Sequence, residues 1–345
     1  MTRIRFSLPA LVFAAACGTC WAQQPSGPAP SSAPTWDVGR IAPETLLPAT
    51  IPFTFSDGLI IVKAALGDGT EQRAAVATAL PLCIVQPELA QTQSLKVFGS
   101  RDVPTLYGPL AVQDAGKQRL TLFQVVANDV PCGVCDLYAG LSSKKSVGKP
   151  MIWLGYSFWG AAQITIDPAQ HQLTFRKAGT PLPKKAFIIP FDLNDGRIEV
   201  QVKANGRKPI AALVDTTAVG TLLPAAEGRA LRLPSVAVYT ASHPNGKKGK
   251  VTAIDLKELS IGSAKVNQVP ALFVSEGDAD GLDVGPAIVG TDVLLRFRVT
   301  IDYSMKKMAL EAIQRPQESV VTSGEPPTRP RPGVVEPRFI PRPRP

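Results

Sequence analysis

Short runs of alternating or β-branched apolar residues dominate the middle of the chain and predict β-strands. Turn signals such as Asp68-Gly69, Asn205-Gly206 and Asn245-Gly246 bound them. The clearest runs are 59–65, 119–126, 172–175, 198–202 and 308–311. Only two short segments, 87–95 and 225–231, have a helical pattern. The pattern therefore predicts an all-β fold.

The N-terminus has the pattern of an export signal. Arg3 and Arg5 precede an apolar stretch, and small residues stand just before Gln23. We expect residues 1–22 to be removed, which makes the protein periplasmic or secreted. An alternative is a lipid anchor on Cys17, but the residue three places before it is not a large aliphatic one.

Two further segments have the composition of linkers rather than of a fold. Residues 23–50 are rich in Pro, Ser and Ala without periodicity, and residues 313–345 are rich in Pro and Arg. We expect both to be disordered, with ordered structure starting near Ile51. No later apolar run reaches the ~20 residues of a membrane-spanning helix, so no transmembrane segment is expected.

Almost half of the positive charge expected on the chain without its signal lies in the tail. The formal net charge is +9, and the tail alone carries six Arg against three Glu. Because a nucleic-acid groove needs its basic surface on the folded part, nucleic acid is not an expected partner. The tail is interpreted as a solvated extension or, alternatively, as a tether to anionic envelope polymers.

The region between linker and tail contains one pattern twice. Ile-Pro-Phe followed by Asp-Gly occurs at 51–58 and again 138 residues later, at 189–196. An apolar-Gly segment followed by Thr-Ile-Asp occurs at 152–167 and again at 287–302, 135 residues later. Such spacing is too long for a solenoid unit and predicts two duplicated lobes, 51–178 and 187–312.

The repeated residues resemble the aspartic peptidase superfamily in its retropepsin-like bacterial form. Leu-Val-Asp-Thr-Thr-Ala at 213–218 resembles the catalytic turn, and 288–302 resembles the Gly segment and closing strand. The resemblance implies a bilobal aspartic-peptidase-like fold of two retropepsin-like β lobes. It places flap hairpins near 98–110 and 239–254.

The same resemblance implies a catalytic position in each lobe, and the two differ. Asp215 is the candidate catalytic residue, whereas the first lobe has Ala77 at the matching place. The chemistry of the family needs two carboxylates that share a proton. Thr217 replaces the Gly of the motif, where we expect a β-branched side chain to be a steric problem. Peptide is expected to bind along Asp215 and its neighbours Thr216, Thr217, Ala218 and Gly290.

The simplest hypothesis for Asp215 is a retained turn residue, hydrogen-bonded by Thr216 and nearby backbone N–H groups. Two second lobes from different chains could instead pair Asp215 with Asp215. The first lobe is expected to occupy that docking surface already.

Three cysteines follow the signal: Cys83, Cys132 and Cys135. In an exported protein a structural disulfide is expected, and the resemblance implies that Cys83 pairs with Cys132 or with Cys135. A redox role for Cys132-Gly-Val-Cys135 lacks the helix start that lowers a thiol pKa. Zinc would need two more ligands, and both histidines lie in other segments, so no metal and no cofactor are expected.

Three other polar residues are interpreted as structural. Ser157 misses the spacing of a nucleophile elbow by one position. Asp167 and Asp302 each end a Thr-Ile-Asp strand and are expected to form turns at the outer ends of the lobes.

The sequence thus supports three hypotheses of function. The first is an exported, catalytically degenerate aspartic peptidase that binds extended peptide between its lobes. The second is an active endopeptidase whose Asp215 is paired across a homodimer. The third is a structural, envelope-associated protein.

Overall fold

The computed structural model describes residues 36–105, 108–137, 148–242, 248–277 and 286–313. The predicted signal, the first part of the predicted linker, the tail from residue 314 and the tips of both predicted flaps lie outside the described residues. The Asn245-Gly246 turn lies outside them as well. None of the helices in the described part is long and apolar enough to cross a membrane.

The first lobe is built from twelve strands and two short helices. These are β1 (Arg40–Ile41), β2 (Ala49–Pro52), β3 (Thr54–Ser56), β4 (Leu59–Leu66), β5 (Gln72–Val76), β6 (Cys83–Val85), α1 (Pro87–Thr92), β7 (Ser100–Thr105), β8 (Gly108–Leu122), β9 (Val125–Val134), β10 (Ile152–Leu154), α2 (Tyr156–Trp159), β11 (Gln163–Asp167) and β12 (Gln172–Arg176).

The second lobe repeats most of this order. Its elements are β13 (Phe187–Pro190), β14 (Asp192–Asn194), β15 (Arg197–Ala204), β16 (Ile210–Val214), β17 (Thr221–Leu222), α3 (Ala225–Ala230), β18 (Ser235–Ser242), β19 (Lys248–Ile261), β20 (Ala264–Gly277), β21 (Ala287–Val289), α4 (Thr291–Leu294), β22 (Phe297–Asp302) and β23 (Lys307–Ala312). The prediction of an all-β, bilobal fold is therefore confirmed.

Each lobe has its own sheet. In the first lobe the order is β1-β9-β6-β10-β5-β4-β8-β7, with β3 on β4, and in the second it is β14-β15-β16-β21-β17-β20-β19-β18. In each lobe the strand before the candidate turn pairs in parallel with the strand of the Gly segment, β5 with β10 and β16 with β21. The flap hairpins are β7–β8 and β18–β19, and β7 and β18 are edge strands.

A third sheet joins the lobes. Its order is β13-β23-β22-β11-β12-β2, so each lobe supplies three strands. At its centre β11 pairs with β22, and the hydroxyls of Thr165 and Thr300 are 2.9 Å apart. Asp167 and Asp302 form turns, as predicted, by accepting backbone N–H bonds. They belong to this shared sheet and not to the outer ends of the lobes, which corrects the prediction.

Matching tight turns contact the opposite lobe. Asp57-Gly58 and Asp195-Gly196 have positive φ at both residues, between 50° and 80°, as a two-residue hairpin requires. Gly58 lies against Val219, and Gly196 lies against Pro81. Both contacts cross between the lobes and are related by the 138-residue offset of the repeat.

The prediction that residues 23–50 form a disordered linker is wrong from residue 36 onward. Trp36 packs against buried apolar residues of the first lobe, β1 pairs with β9, and β2 joins the shared sheet. Apolar side chains such as Ala42 and Ala49 are buried there, which explains why this Pro-rich stretch is ordered.

Two element boundaries also differ from the prediction. The predicted strand 119–126 contains a hairpin turn, with Phe123 at φ 52°, between β8 and β9. The helix predicted at 87–95 ends at Thr92, because Ser94 adopts a positive φ. Helix α3 agrees with its prediction to one residue, and the four-residue helices α2 and α4 were too short to leave a period in the sequence.

Candidate functional site

The two candidate turns have the same backbone framework. The N–H of Ala77 donates to the carbonyl of Leu154 at 3.0 Å, and the N–H of Asp215 donates to that of Val289 at 3.1 Å. Ala77 therefore occupies in the first lobe the place that Asp215 occupies in the second. The alignment of the sequence repeat at these two positions is correct.

Reciprocal hydrogen bonds join the two turns. The hydroxyl of Thr78 donates to the carbonyl of Val214 at 2.8 Å, and the hydroxyl of Thr216 donates to that of Val76 at 2.7 Å. The N–H of Thr78 also donates to the hydroxyl of Thr216 at 3.2 Å, and the N–H of Thr216 donates to the hydroxyl of Thr78 at 3.1 Å. These bonds hold the Ala77 and Asp215 turns face to face within one chain.

The Gly segments support the turns from behind. A Cβ atom on Gly155 would lie 2.7 Å from the carbonyl oxygen of Leu80, and one on Gly290 would lie 2.6 Å from those of Ala218 and Gly220. Such distances are too short for a side chain, so the backbones approach only because both residues are Gly. Gly290 and Thr216 are therefore buried supports of the turn, and the prediction that they contact peptide is not supported.

Asp215 is almost enclosed, with 3 % of its surface exposed. Its Oδ1 accepts the hydroxyl of Thr217 at 2.6 Å and the N–H of Thr217 at 2.7 Å. Burial raises the pKa of the Asp215 carboxyl, while the bonds from Thr217 and the backbone of Ala218 act in the opposite direction.

Two expectations about this turn are wrong in detail. Thr217 causes no steric problem, because its side chain turns onto the carboxylate and replaces solvent as a donor. The hydroxyl of Thr216 does not bind Asp215, since it is used between the lobes. Among the described residues the partner of the carboxylate is therefore Thr217, with backbone N–H groups, and not a second acid.

Comparison with known proteins bears on this geometry. Residues 200–296 match the family model described as "gag-polyprotein putative aspartyl protease", a stretch that includes Asp215 and the Gly290 segment. The chain is therefore similar to this family over residues 200–296, which is less than half of its length. Among solved structures, the aspartic proteinase from Irpex lacteus matches 76 % of this chain and 97 % of that chain, with 13 % identity and a TM-score of 0.46. A search among curated proteins finds no match.

In the first lobe, which lies outside the stretch that matches the family model, apolar packing covers the face that carries Ala77. We call this group of buried residues the first-lobe cluster. It consists of Leu59, Ile61, Ala75, Ala77, Leu80, Leu82, Ile84, Val103, Leu110, Val112, Leu137 and Trp153. Three of its members belong to the flap hairpin β7–β8. The flap and the Ala77 turn therefore belong to one buried apolar cluster.

Trp153 and Trp36 complete this closure. Trp153 is opposite Ala75 in the parallel pair β10–β5 and has no exposed surface, and the half-buried Trp36 packs against the cluster from the N-terminal segment. Ala77 itself is fully buried. A carboxylate at position 77 would thus enter an apolar environment, without the hydroxyl donor that Asp215 has.

The second lobe is packed differently around its turn. Beside Asp215, Leu222 and Ile288 form a small cluster with Ala218 and Leu272. The outer flap strand β18 leaves Val236 and Val238 exposed, at 61 % and 55 %, whereas Val251 of the inner flap strand β19 is buried. The outer strand of this flap therefore presents apolar side chains to solvent, while the turn itself is enclosed.

Two positions after the Gly, the first lobe has Ser157 and the second lobe has Asp292. In the first lobe the hydroxyl oxygen of Ser157 accepts the N–H of Cys83 at 2.9 Å, and in the second lobe Asp292 accepts the N–H of Thr221 at 3.2 Å. Both pairs are related by the repeat. Ser157 is thus structural, as predicted. Burial raises the pKa of Asp292 to about 6, against hydrogen bonds from Thr221 and the charge of Arg296.

No disulfide joins Cys83, Cys132 and Cys135 in the structure, so the predicted disulfide is not formed in it. Cys83 and Cys132 are nevertheless in contact, opposite each other on β6 and β9. No group of three or more His, Cys, Asp or Glu that could hold a metal ion occurs among the described residues. The chemistry available at the centre of the site is therefore that of one buried carboxyl group with a hydroxyl neighbour.

Proposed function

We propose that the protein is an aspartic-peptidase-like binding protein that holds extended peptide beside Asp215 and does not cleave it. The observation that carries this proposal is the pairing of Asp215 with Ala77 in a site whose turns are otherwise correctly joined. One carboxylate can act as a base on water. Nothing across the site then protonates the carbonyl oxygen of a peptide, and such assistance is worth about 10²–10⁴ in rate.

The second lobe supplies the binding surface in this proposal. Strand β18 is an edge strand with unpaired main-chain groups and exposed β-branched side chains at Val236 and Val238. Extended peptides add to such edges through main-chain hydrogen bonds. We infer an extended peptide with apolar side chains as the ligand, and Ala218 as the turn residue nearest to solvent.

Pairing of Asp215 across a homodimer is disfavoured by the contacts of Thr216. Its hydroxyl is bonded to Val76 and Thr78 of the same chain, and the shared sheet buries the surrounding surface. A second copy would have to displace the first lobe to reach Asp215. The structural, envelope-associated alternative depends on the tail, which lies outside the described residues.

The test combines cleavage and binding. Purified protein, shown to be monomeric by light scattering, is incubated with denatured casein and with a peptide library from pH 3 to pH 7. We expect no cleavage, and the same result for Asp215→Asn. Cleavage that disappears in Asp215→Asn overturns the proposal, and cleavage only at dimer-forming concentrations favours the Asp215 pair.

Binding is measured with fluorescent extended peptides. The double variant Val236→Lys/Val238→Lys should weaken binding at least tenfold, because charges on an edge strand oppose strand addition. The matched control is Phe123→Lys, which removes an equally exposed apolar side chain at the β8–β9 turn. Absence of peptide binding by the intact protein removes the binding function and leaves the envelope-associated alternative.

We also propose that the protein is exported, on the pattern of residues 1–22. The intact mass of protein recovered from the periplasm or medium should correspond to a chain beginning at Gln23. A longer chain, or a lipid on Cys17, contradicts this.

A further inference from the structure

The contact between Cys83 and Cys132 has the placement that a disulfide needs. The two residues are direct partners in the parallel pair β6–β9. Neighbouring strands are about 4.8 Å apart, within the roughly 4.4–6.8 Å between Cα atoms that a disulfide spans. Both side chains are buried in the main core, together with Val85 and Val130. They therefore project from the same face of the sheet.

Cys135 is excluded as a partner of either residue. It lies three residues beyond Cys132 along an extended chain, about 10 Å away, which exceeds the roughly 7 Å limit for a disulfide. Its side chain packs against the first-lobe cluster, on the opposite face of the sheet. Its N–H donates to Val85 at 3.2 Å, so it lies level with the end of β6 and not with Cys83.

We propose that Cys83 and Cys132 form a disulfide in the oxidised protein and that Cys135 remains a thiol. The two thiols lose two protons and two electrons as the S–S bond forms. A disulfide oxidant such as oxidised glutathione accepts them and is reduced to two thiols. The structure describes the reduced form of this pair.

The two thiols contact each other in the buried core. Burial acts to raise the pKa of Cys83, but hydrogen bonds to it, first that of Cys132, lower its pKa overall. The hydrogen bond to Cys83, together with burial, raises the pKa of Cys132. The two sulfur atoms are therefore within hydrogen-bond reach of each other, which agrees with their pairing on β6 and β9.

The bond would secure the exit of the Ala77 turn. Strand β6 follows that turn, and the hydroxyl of Ser157 already bridges the N–H of Cys83, at 2.9 Å, and the carbonyl of Pro131, at 2.8 Å. The second lobe has Thr221 opposite Ala271 at the corresponding place, so it cannot form such a bond. The crosslink would therefore belong to the closed lobe alone. This inference does not depend on the proposed peptide binding.

The experiment maps the thiols of the protein that begins at Gln23, whose cysteines are Cys83, Cys132 and Cys135. Protein equilibrated with oxidised and reduced glutathione is denatured, alkylated and digested without reductant. We expect the peptide of Cys83 linked to the peptide that contains Cys132, with one alkyl group placed on Cys135 by fragmentation. A Cys132–Cys135 link, a link from Cys83 to Cys135, or three alkylated cysteines overturns the proposal.

Thermal unfolding gives an independent measurement. Reductant should lower the melting temperature of the wild type and of the control Cys135→Ala by about 5–10 °C. The double variant Cys83→Ala/Cys132→Ala should not respond to reductant. If the double variant fails to fold, the thiol map of the wild type decides the question alone. Equal sensitivity of all three proteins contradicts the assignment.

Discussion

The Ala77 turn and the Asp215 turn share a backbone and differ in almost everything around it. Both donate an equivalent backbone N–H bond to the strand before a Gly, and both are joined by the hydroxyls of Thr78 and Thr216. One of them ends in an apolar cluster covered by its flap, and the other ends in a carboxylate capped by Thr217. The framework of the site therefore does not depend on the charged group that it presents.

This independence has a physical cause. The bonds that hold the turns use backbone groups and threonine hydroxyls, so the side chain at position 77 or 215 is not one of the supports. A carboxylate at either place adds a desolvation cost that only local donors offset. Once Ala stands at 77, apolar packing of Trp153 and the flap becomes favourable there. The closed packing of the first lobe and the apolar residue at position 77 therefore agree with each other.

Substitutions at Ala77 and Asp215 should show the largest difference in stability between the two turns. Ala77→Asp puts a carboxyl group into the fully buried first-lobe cluster, and we expect it to lower the free energy of unfolding by about 3–5 kcal/mol at pH 7. Asp215→Ala removes a buried carboxyl group whose pKa burial has raised, so its cost should be about 1 kcal/mol, from the lost acceptor of Thr217. Urea unfolding of both variants measures the difference.

A similar cost for the two variants would show that the lobes are less different than their packing indicates. The same variants sharpen the question of activity. Ala77→Asp with Thr217→Gly and Trp153→Ile places an acid opposite Asp215 and makes the cluster smaller. Acid-optimum cleavage by this triple variant would show that the framework is still able to support the chemistry.

The bonds between the turns should contribute equally from both sides. Thr78→Val and Thr216→Val each remove a buried hydroxyl and leave a carbonyl and an N–H without their partner. We expect each to cost about 2–4 kcal/mol. The control Thr50→Val affects an exposed hydroxyl pair in the shared sheet and should change stability by less than about 0.5 kcal/mol. A large effect from only one of the two buried residues would contradict the reciprocal arrangement.

The sequence predicts the duplicated lobes and both turns because their residues recur at nearly fixed offsets. The shared sheet was not predicted, because pairing of β11 with β22 joins residues 133 to 139 positions apart and leaves no local pattern. The prediction that Thr217 is a steric problem is wrong because a threonine side chain can rotate. In the structure its hydroxyl donates to Asp215. The sequence does contain one indication of the closed first lobe, because the large side chain of Trp153 stands where the second lobe has Ile288.

The difference between Ser157 and Asp292 should have a smaller effect on the free energy of unfolding. The two residues accept equivalent N–H bonds, but only Asp292 titrates, and burial raises its pKa to about 6. A carboxyl group whose pKa is higher in the folded than in the unfolded state stabilises the fold when protonated. Its contribution is fully present below about pH 4 and is lost as the pH rises through 6.

The variant Asp292→Ser gives the second lobe the residue of the first and should remove this pH dependence. In the wild type, the contribution of Asp292 to the free energy of unfolding should fall by about 1 kcal/mol between pH 5 and pH 7. The variant keeps an acceptor for Thr221 but cannot titrate, so the difference between the two unfolding curves isolates the carboxyl group. Asp215, whose pKa is also raised, and Asp114 and Asp302, whose pKa values are lowered, are present in both proteins and cancel in the difference. Parallel curves for variant and wild type across this range would show that Asp292 titrates as an ordinary surface carboxylate.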